Sequence, residues 1–145
     1  MAVAKWDDSY KTGHPEVDAQ HQHLFQMVND LHDAIISGKN KEILTPTLQK
    51  LAQYTVEHFR TEEGLMVKVA YPELRGHKRK HEDLIKQVKE LVQKYQTGQV
   101  VLTITLSNFL ADWLRHHIKE DDLALVKYCQ AHPIGPAVKS AKLGV

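Results

Sequence analysis

Apolar residues recur at three- and four-residue steps in four long stretches of the chain, separated by short segments rich in helix breakers. The first stripe is Leu24, Phe25, Val28, Leu31 and Ile35, with Asp18 positioned as N-cap and Gly38 as the stop. A second helix is predicted from about Lys41 to about Met66 on Leu48, Leu51, Ala52, Thr55 and Phe59. Tyr71-Pro72 breaks the chain, because proline disfavours helix at the residue before it and suits a helix start. A third helix follows from about Pro72 to about Tyr95 with Leu74, Leu84, Ile85, Val88, Leu91 and Val92 inward. The fourth runs from about Leu102 to about Ala131, pointing Leu106, Leu110, Trp113, Leu114, Ile118 and Leu125 inward and stopping before Pro133. The β-branched run QVVLTITL has no partner strand. Four long helices with short connections predict an all-α fold, an up-down-up-down antiparallel four-helix bundle. It forms a single domain, with an N-terminal arm over residues 1–17, the bundle over 18–131 and a short tail over 132–145.

Polar residues interrupt these stripes in phase with them. His21 shares a face with Leu24, Phe25 and Val28, and Thr55, His58, Glu62 and Leu65 follow three- and four-residue steps. Leu74, His77, His81, Leu84 and Val88 do the same, and His117 continues the row of Leu110, Trp113 and Leu114. Residues four apart on a helix lie about 6 Å apart along its axis and lean the same way, so a pair such as His58/Glu62 or His77/His81 can reach one centre. A single inward histidine is most often a hydrogen-bonded core residue. Five imidazoles and two carboxylates on four inward faces are another matter, since each unpaired buried charge costs roughly several kcal/mol. A bound cation removes that objection. Seven donors exceed what one zinc ion takes, and calcium or magnesium prefers oxygen. Mixed imidazole and carboxylate donors suit two ions of iron or manganese. Five nitrogens, two bridging carboxylates and one shared solvent oxygen would fill all but one of the octahedral positions of such a pair.

Composition narrows the class further. With 145 residues the chain is long enough for a core without staples, and 19 Lys+Arg against 18 Asp+Glu argue against electrostatic capture of nucleic acid or acidic membranes. The single cysteine, Cys129, has no internal partner, and no stretch reads as a signal peptide or a membrane span. The expectation is a cytoplasmic protein.

The motifs WDDSYKTG, VDAQH, HFRTEEGLM, YPELRGHKRKH and WLRHHIKEDD, in that order over roughly residues 6 to 128, resemble those of the hemerythrins, in particular the single-domain bacteriohemerythrins. The resemblance implies a non-haem centre of two iron ions with a bridging oxo or hydroxo group. His77, His81 and His117 would bind one iron, His21 and His58 the other, and Glu62 and Asp122 would bridge them. The open position then belongs to the two-histidine iron. An ideal helix puts Asp121, not Asp122, in phase with His117, so choosing Asp122 requires a local π-type widening. Leu24, Phe59, Trp113, Leu114 and Ile118 match the positions that line the family's dioxygen pocket. Glu63 and Asp121 are expected beside the centre or in solvent, His32 as a core or rim residue, and His14, His23, His116 and His132 away from it.

The function implied is reversible binding of dioxygen, for transport, storage or delivery, by a protein that is not an enzyme. Two electrons, with the bridging hydroxo proton, would pass to the ligand and return on release. Sensing of oxygen or nitric oxide, or di-iron peroxidase or oxidase activity, is the alternative. An oxygen-accepting protein is a conceivable partner. Iron storage is the weaker reading, because two ions per chain is a poor store.

Overall fold

A computed structural model describes residues 3–132, and within them the predicted architecture is present: four long helical stretches and no strand. Helix α1 spans Pro15–Ile36, α2 Lys41–Lys68 and α3 Leu74–Gln96. The fourth stretch is unbroken but has three parts: α4 Ile104–His117, a π segment Ile118–Asp122, and α5 Leu123–Ala131. Helix α1 packs on α2 and α4, and α2 packs on α3, closing an all-α antiparallel bundle. No helix among the described residues is long and apolar enough to cross a membrane. The tail predicted from 132 onward lies, after His132, outside the described residues.

Several boundaries differ from the sequence expectation, each for a local reason. Helix α1 begins at Pro15, with His14 as N-cap accepting the Val17 amide on Nδ1 at 3.2 Å. Asp18, expected as the cap, is one turn inside and buried. Its Oδ1 accepts from Thr12 N at 2.9 Å and Thr12 Oγ1 at 2.7 Å, and its Oδ2 from Gly13 N at 3.1 Å. It therefore fastens the arm to the bundle. The break after α2 is made by Ala70 rather than by Tyr71-Pro72. Ala70 takes a left-handed φ of 51°, with its own amide bonded to Val67 O and the Tyr71 amide to Met66 O at 2.9 Å. That is a Schellman closure with alanine where glycine is usual. Gly38, at φ 68°, closes α1 the same way. Helix α3 consequently starts at Leu74, two residues later than predicted, and α4 at Ile104 behind Thr103.

The arm is packed rather than loose. The amides of Val3 and Ala4 both bond Asn29 Oδ1, at 3.0 and 2.8 Å, and Trp6 and Tyr10 lie edge-on to Phe25 at 5.4 and 5.1 Å. Towards the end where α1 stops and α2 begins, the interior is Leu31, Leu44, Leu48, Leu51, Val88 and Tyr95, all buried. Towards the other end the interior changes character.

Candidate metal centre

All five histidines and both carboxylates singled out from the sequence meet there. His21 comes from the second turn of α1, His58 and Glu62 from α2, His77 and His81 from α3, and His117 and Asp122 from the fourth stretch. None is more than 4 % exposed. Glu62 and Asp122 each turn one oxygen to either side. Glu62 Oε2 is 2.8 Å from His58 Nε2 and 3.2 Å from His21 Nε2, whereas Oε1 faces His81 Nε2 at 3.0 Å and His77 Nε2 at 3.3 Å. Asp122 Oδ2 is 2.9 Å from His21 Nε2, and Oδ1 is 3.1 and 3.2 Å from the Nε2 atoms of His77 and His117. The seven residues therefore form two donor groups with the carboxylates in common. One is His77, His81, His117, Glu62 and Asp122, and the other is His21, His58, Glu62 and Asp122.

Which of Asp121 and Asp122 faces the cluster is set by the backbone. The segment Ile118–Asp122 is π-helical, and the Leu123 amide bonds Ile118 O, five residues back. The widened turn brings Asp122 into phase with His117. Asp121 stays outside, with Oδ2 3.0 Å from His117 Nδ1 and both oxygens held by Lys80 Nζ at 2.9 and 3.1 Å.

The interior contacts are close without being satisfied. His117 Nε2 lies 3.2 Å from His77 Nε2 and 3.0 Å from His81 Nε2, so imidazole lone pairs converge on one point. Despite these short distances, His58 Nε2, Glu62 Oε1 and both Asp122 oxygens are buried without a formed hydrogen bond, as are the outer nitrogens His21 Nδ1 and His117 Nδ1. Orphaned buried polar atoms of this kind are rare in folded proteins, and here all of them belong to groups that ligate cations. In the absence of a cation the groups perturb one another strongly. Burial pushes His21 and His77 down, but the close approach and charge of the Asp122 and Glu62 carboxylates outweigh it and hold both up at about 9. Burial likewise opposes protonation of His117, and the Asp122 charge and Asp121 raise it to about 11. Burial would lift the Glu62 carboxyl, but the His58 charge and the other imidazoles hold it well below its ordinary range. Burial and the Glu62 charge would also raise Asp122, yet His117 and His21 keep it lowered. Protons and cations compete for the same lone pairs, so the arrangement is chemically suited to metal.

The outer nitrogens are held too. His58 Nδ1 donates to Gln20 Oε1 at 2.6 Å, and His81 Nδ1 donates to Glu63 Oε2 at 2.9 Å. Such bonds fix the tautomer and leave Nε2 free to face inward. Gln20 lies within the VDAQH motif, but its pairing with His58 could not be read from the sequence, since that partner lies 38 residues away on another helix. Phe59 stacks on His81 at 3.7 Å and Trp113 on His117 at 4.4 Å. The remaining histidines lie elsewhere. His23, His116 and His132 are exposed, and His32 is buried far up α1 with Nδ1 donating to Ser107 Oγ at 2.6 Å. Cys129 is half-buried, and burial pushes its thiol up.

A cavity of about 30 Å³ adjoins the centre. Leu24, Phe59, Trp113 and Leu114, singled out from the sequence, line it together with Leu51, Ala52, Thr55 and Val88, which were not. Ile118 is fully buried but lies outside the lining.

Residues 12–129 match the family model of the hemerythrin HHE cation binding domain. The bacteriohemerythrin of Pseudomonas aeruginosa is 35% identical over 144 residues, covering 99% of this chain and 92% of the relative. That of Methylococcus capsulatus is 34% identical over 123 residues, covering 84% of this chain and 93% of the relative. A solved wild-type hemerythrin superposes with a TM-score of 0.83 at 31% identity, over 87% of this chain and 97% of that one. On the fold, the buried cluster and these likenesses together, the chain belongs to the hemerythrin family.

Proposed function

We propose that this chain holds two iron ions between its four helices and binds dioxygen there reversibly. The observation that carries the reading is the pair of donor groups that share Glu62 and Asp122 but differ in histidine number. It supports His77, His81 and His117 as the residues for one ion and His21 and His58 for the other, with both carboxylates bridging. Iron fits the mixture of imidazole and carboxylate donors, which contains no thiolate. When bound, such a pair supplies two electrons to dioxygen and recovers them on release. The smaller donor group belongs to the side where a ligand has room to bind.

The chain's own residues favour binding over turnover. Leu24 follows His21 by three residues, Phe59 adjoins His58, and Leu114 precedes His117 by three, so large apolar side chains stand beside the donors. The adjoining cavity has room for a molecule of water's size or a little more, which suits a diatomic gas and excludes an organic substrate. Thr55 carries the one hydroxyl in its lining, and Oγ1 already donates to Leu51 O at 2.7 Å. No general acid among the described residues faces the cavity, which counts against peroxidase or oxidase chemistry. Carriage or delivery of oxygen is the role these features support.

The test is an optical spectrum of the reduced, iron-loaded protein as air is admitted and then purged. A visible charge-transfer band that appears with air and fades on purging is the expected result. A band that forms once and persists would overturn reversible binding. No band, with fewer than two irons per chain, would overturn the di-iron reading.

A further inference from the structure

The inward histidines rest their outer nitrogens on different kinds of partner. Behind the three-histidine group stand two carboxylates: Glu63, accepting from His81 Nδ1 at 2.9 Å, and Asp121, whose Oδ2 lies 3.0 Å from His117 Nδ1 as an ion pair short of a formed hydrogen bond. Behind the two-histidine group stands one uncharged amide, Gln20, accepting from His58 Nδ1 at 2.6 Å. His21 Nδ1 is buried with no partner among the described residues. Among the described residues, the carboxylates beside these outer nitrogens therefore stand at one end of the centre.

A carboxylate that accepts the Nδ1 proton of an imidazole, as Glu63 does, makes Nε2 a stronger donor, and one that only stands beside Nδ1, as Asp121 does, acts the same way more weakly through its charge; stronger donation favours the higher oxidation state of the ion it holds. A neutral amide does this less, and an unpartnered N–H not at all. We propose that Glu63 and Asp121 determine which end of the iron pair is oxidised first, directing the first electron loss to the three-histidine end. This rests on the di-iron reading above. It keeps the two-histidine end, where the ligand is proposed to bind, ferrous for longest. Oxidation by one equivalent of ferricyanide removes one electron from the reduced pair and yields ferrocyanide, with no protein bond made or broken. The Nδ1 protons stay with their imidazoles. Glu63 and Asp121 are positioning residues, and their effects are unequal. Lys80 offsets part of the Asp121 charge, while no ion pair to a lysine or arginine engages Glu63 among the described residues.

The experiment uses the full chain loaded with iron, its histidines labelled with ¹⁵N, and oxidised by one equivalent of ferricyanide. In an antiferromagnetically coupled mixed-valent pair, nitrogens on the ferric ion are the strongly coupled ones in electron–nuclear double resonance. Three strongly coupled histidine nitrogens are expected, and two would overturn the inference while leaving the di-iron reading intact. Less than two irons per chain would overturn both. Variants then assign the cause. Glu63→Gln is expected to shift the first oxidation potential upward and lower the yield of the mixed-valent form, with Asp121→Asn doing so less. Gln20→Glu, which adds a carboxylate behind His58, is expected to narrow the gap between the two potentials. Equal shifts of both potentials in Glu63→Gln, or none, would overturn the assignment.

Discussion

Near the turns at 37–40 and 97–103, the four helices face one another with Leu31, Leu48, Val88, Tyr95 and Leu110. Some turns away, the same helices face one another with five imidazoles and two carboxylates. The first region is held by burial of apolar surface, which requires only shape and hydrophobicity from its residues. The second buries groups that water would solvate better, and it leaves several of their atoms without hydrogen bonds. One half of the bundle is thus a source of stability and the other a cost that metal offsets. Substitutions in the two halves should separate accordingly.

The largest separation is expected from Glu62→Gln. This residue serves both donor groups, so the variant should lose iron from both ends and fall from about two to below one iron per chain by metal analysis. The helical signal in circular dichroism should persist, because the apolar half is untouched. Leu48→Ala reverses the pattern: removing a fully buried side chain should destabilise by about 2–5 kcal/mol in urea titration, with iron content unchanged.

A smaller difference should appear with pH in the iron-free protein. His21 and His77 are raised to about 9 and His117 to about 11, all above the ordinary value of 6.5. Their carboxylate pairing therefore stabilises the fold fully below about pH 6.5 and is lost as pH rises through those raised values. Urea midpoints of the iron-free form should fall between about pH 6 and about pH 10, and those of the loaded form should change less. A flat iron-free profile would break this part of the comparison. The smallest effect belongs to Ser107→Ala, which takes the acceptor from the buried His32 Nδ1 and should cost about 1 kcal/mol by the same titration, with no change in iron.

The apolar periodicity was sufficient to locate all four helical stretches, since long amphipathic stripes carry their own phase. Ligand-type residues were equally legible for the same reason: His21, His58, His77, His81 and His117 fall on those stripes. What could not be read were contacts set by tertiary distance alone. Gln20 meets His58 across two helices, and nothing in its neighbours announces it. The end of α2 was misread because alanine rarely takes the left-handed conformation that Ala70 adopts, and a proline two residues on offered a more familiar explanation. Asp18 was misread in the same spirit, since an aspartate ahead of an apolar stripe looks like a cap when it is a clasp for the arm. The cavity wall was only half visible, because Leu51 and Val88 look like any other core positions until the helices are assembled.

The widened turn after His117 has a kinematic consequence. In a regular helix one position, four residues on, would have to serve both faces of that imidazole. Here two consecutive residues divide the task, Asp121 lying 3.0 Å from Nδ1 and Asp122 3.2 Å from Nε2. The ring is gripped at both ends by adjacent links of one chain, with the Trp113 indole flat against it. A half-turn about its own axis would have to part both contacts together, so flipping of this ring should be slow. Any twist of the helix there must also carry both aspartates and the ring as one body.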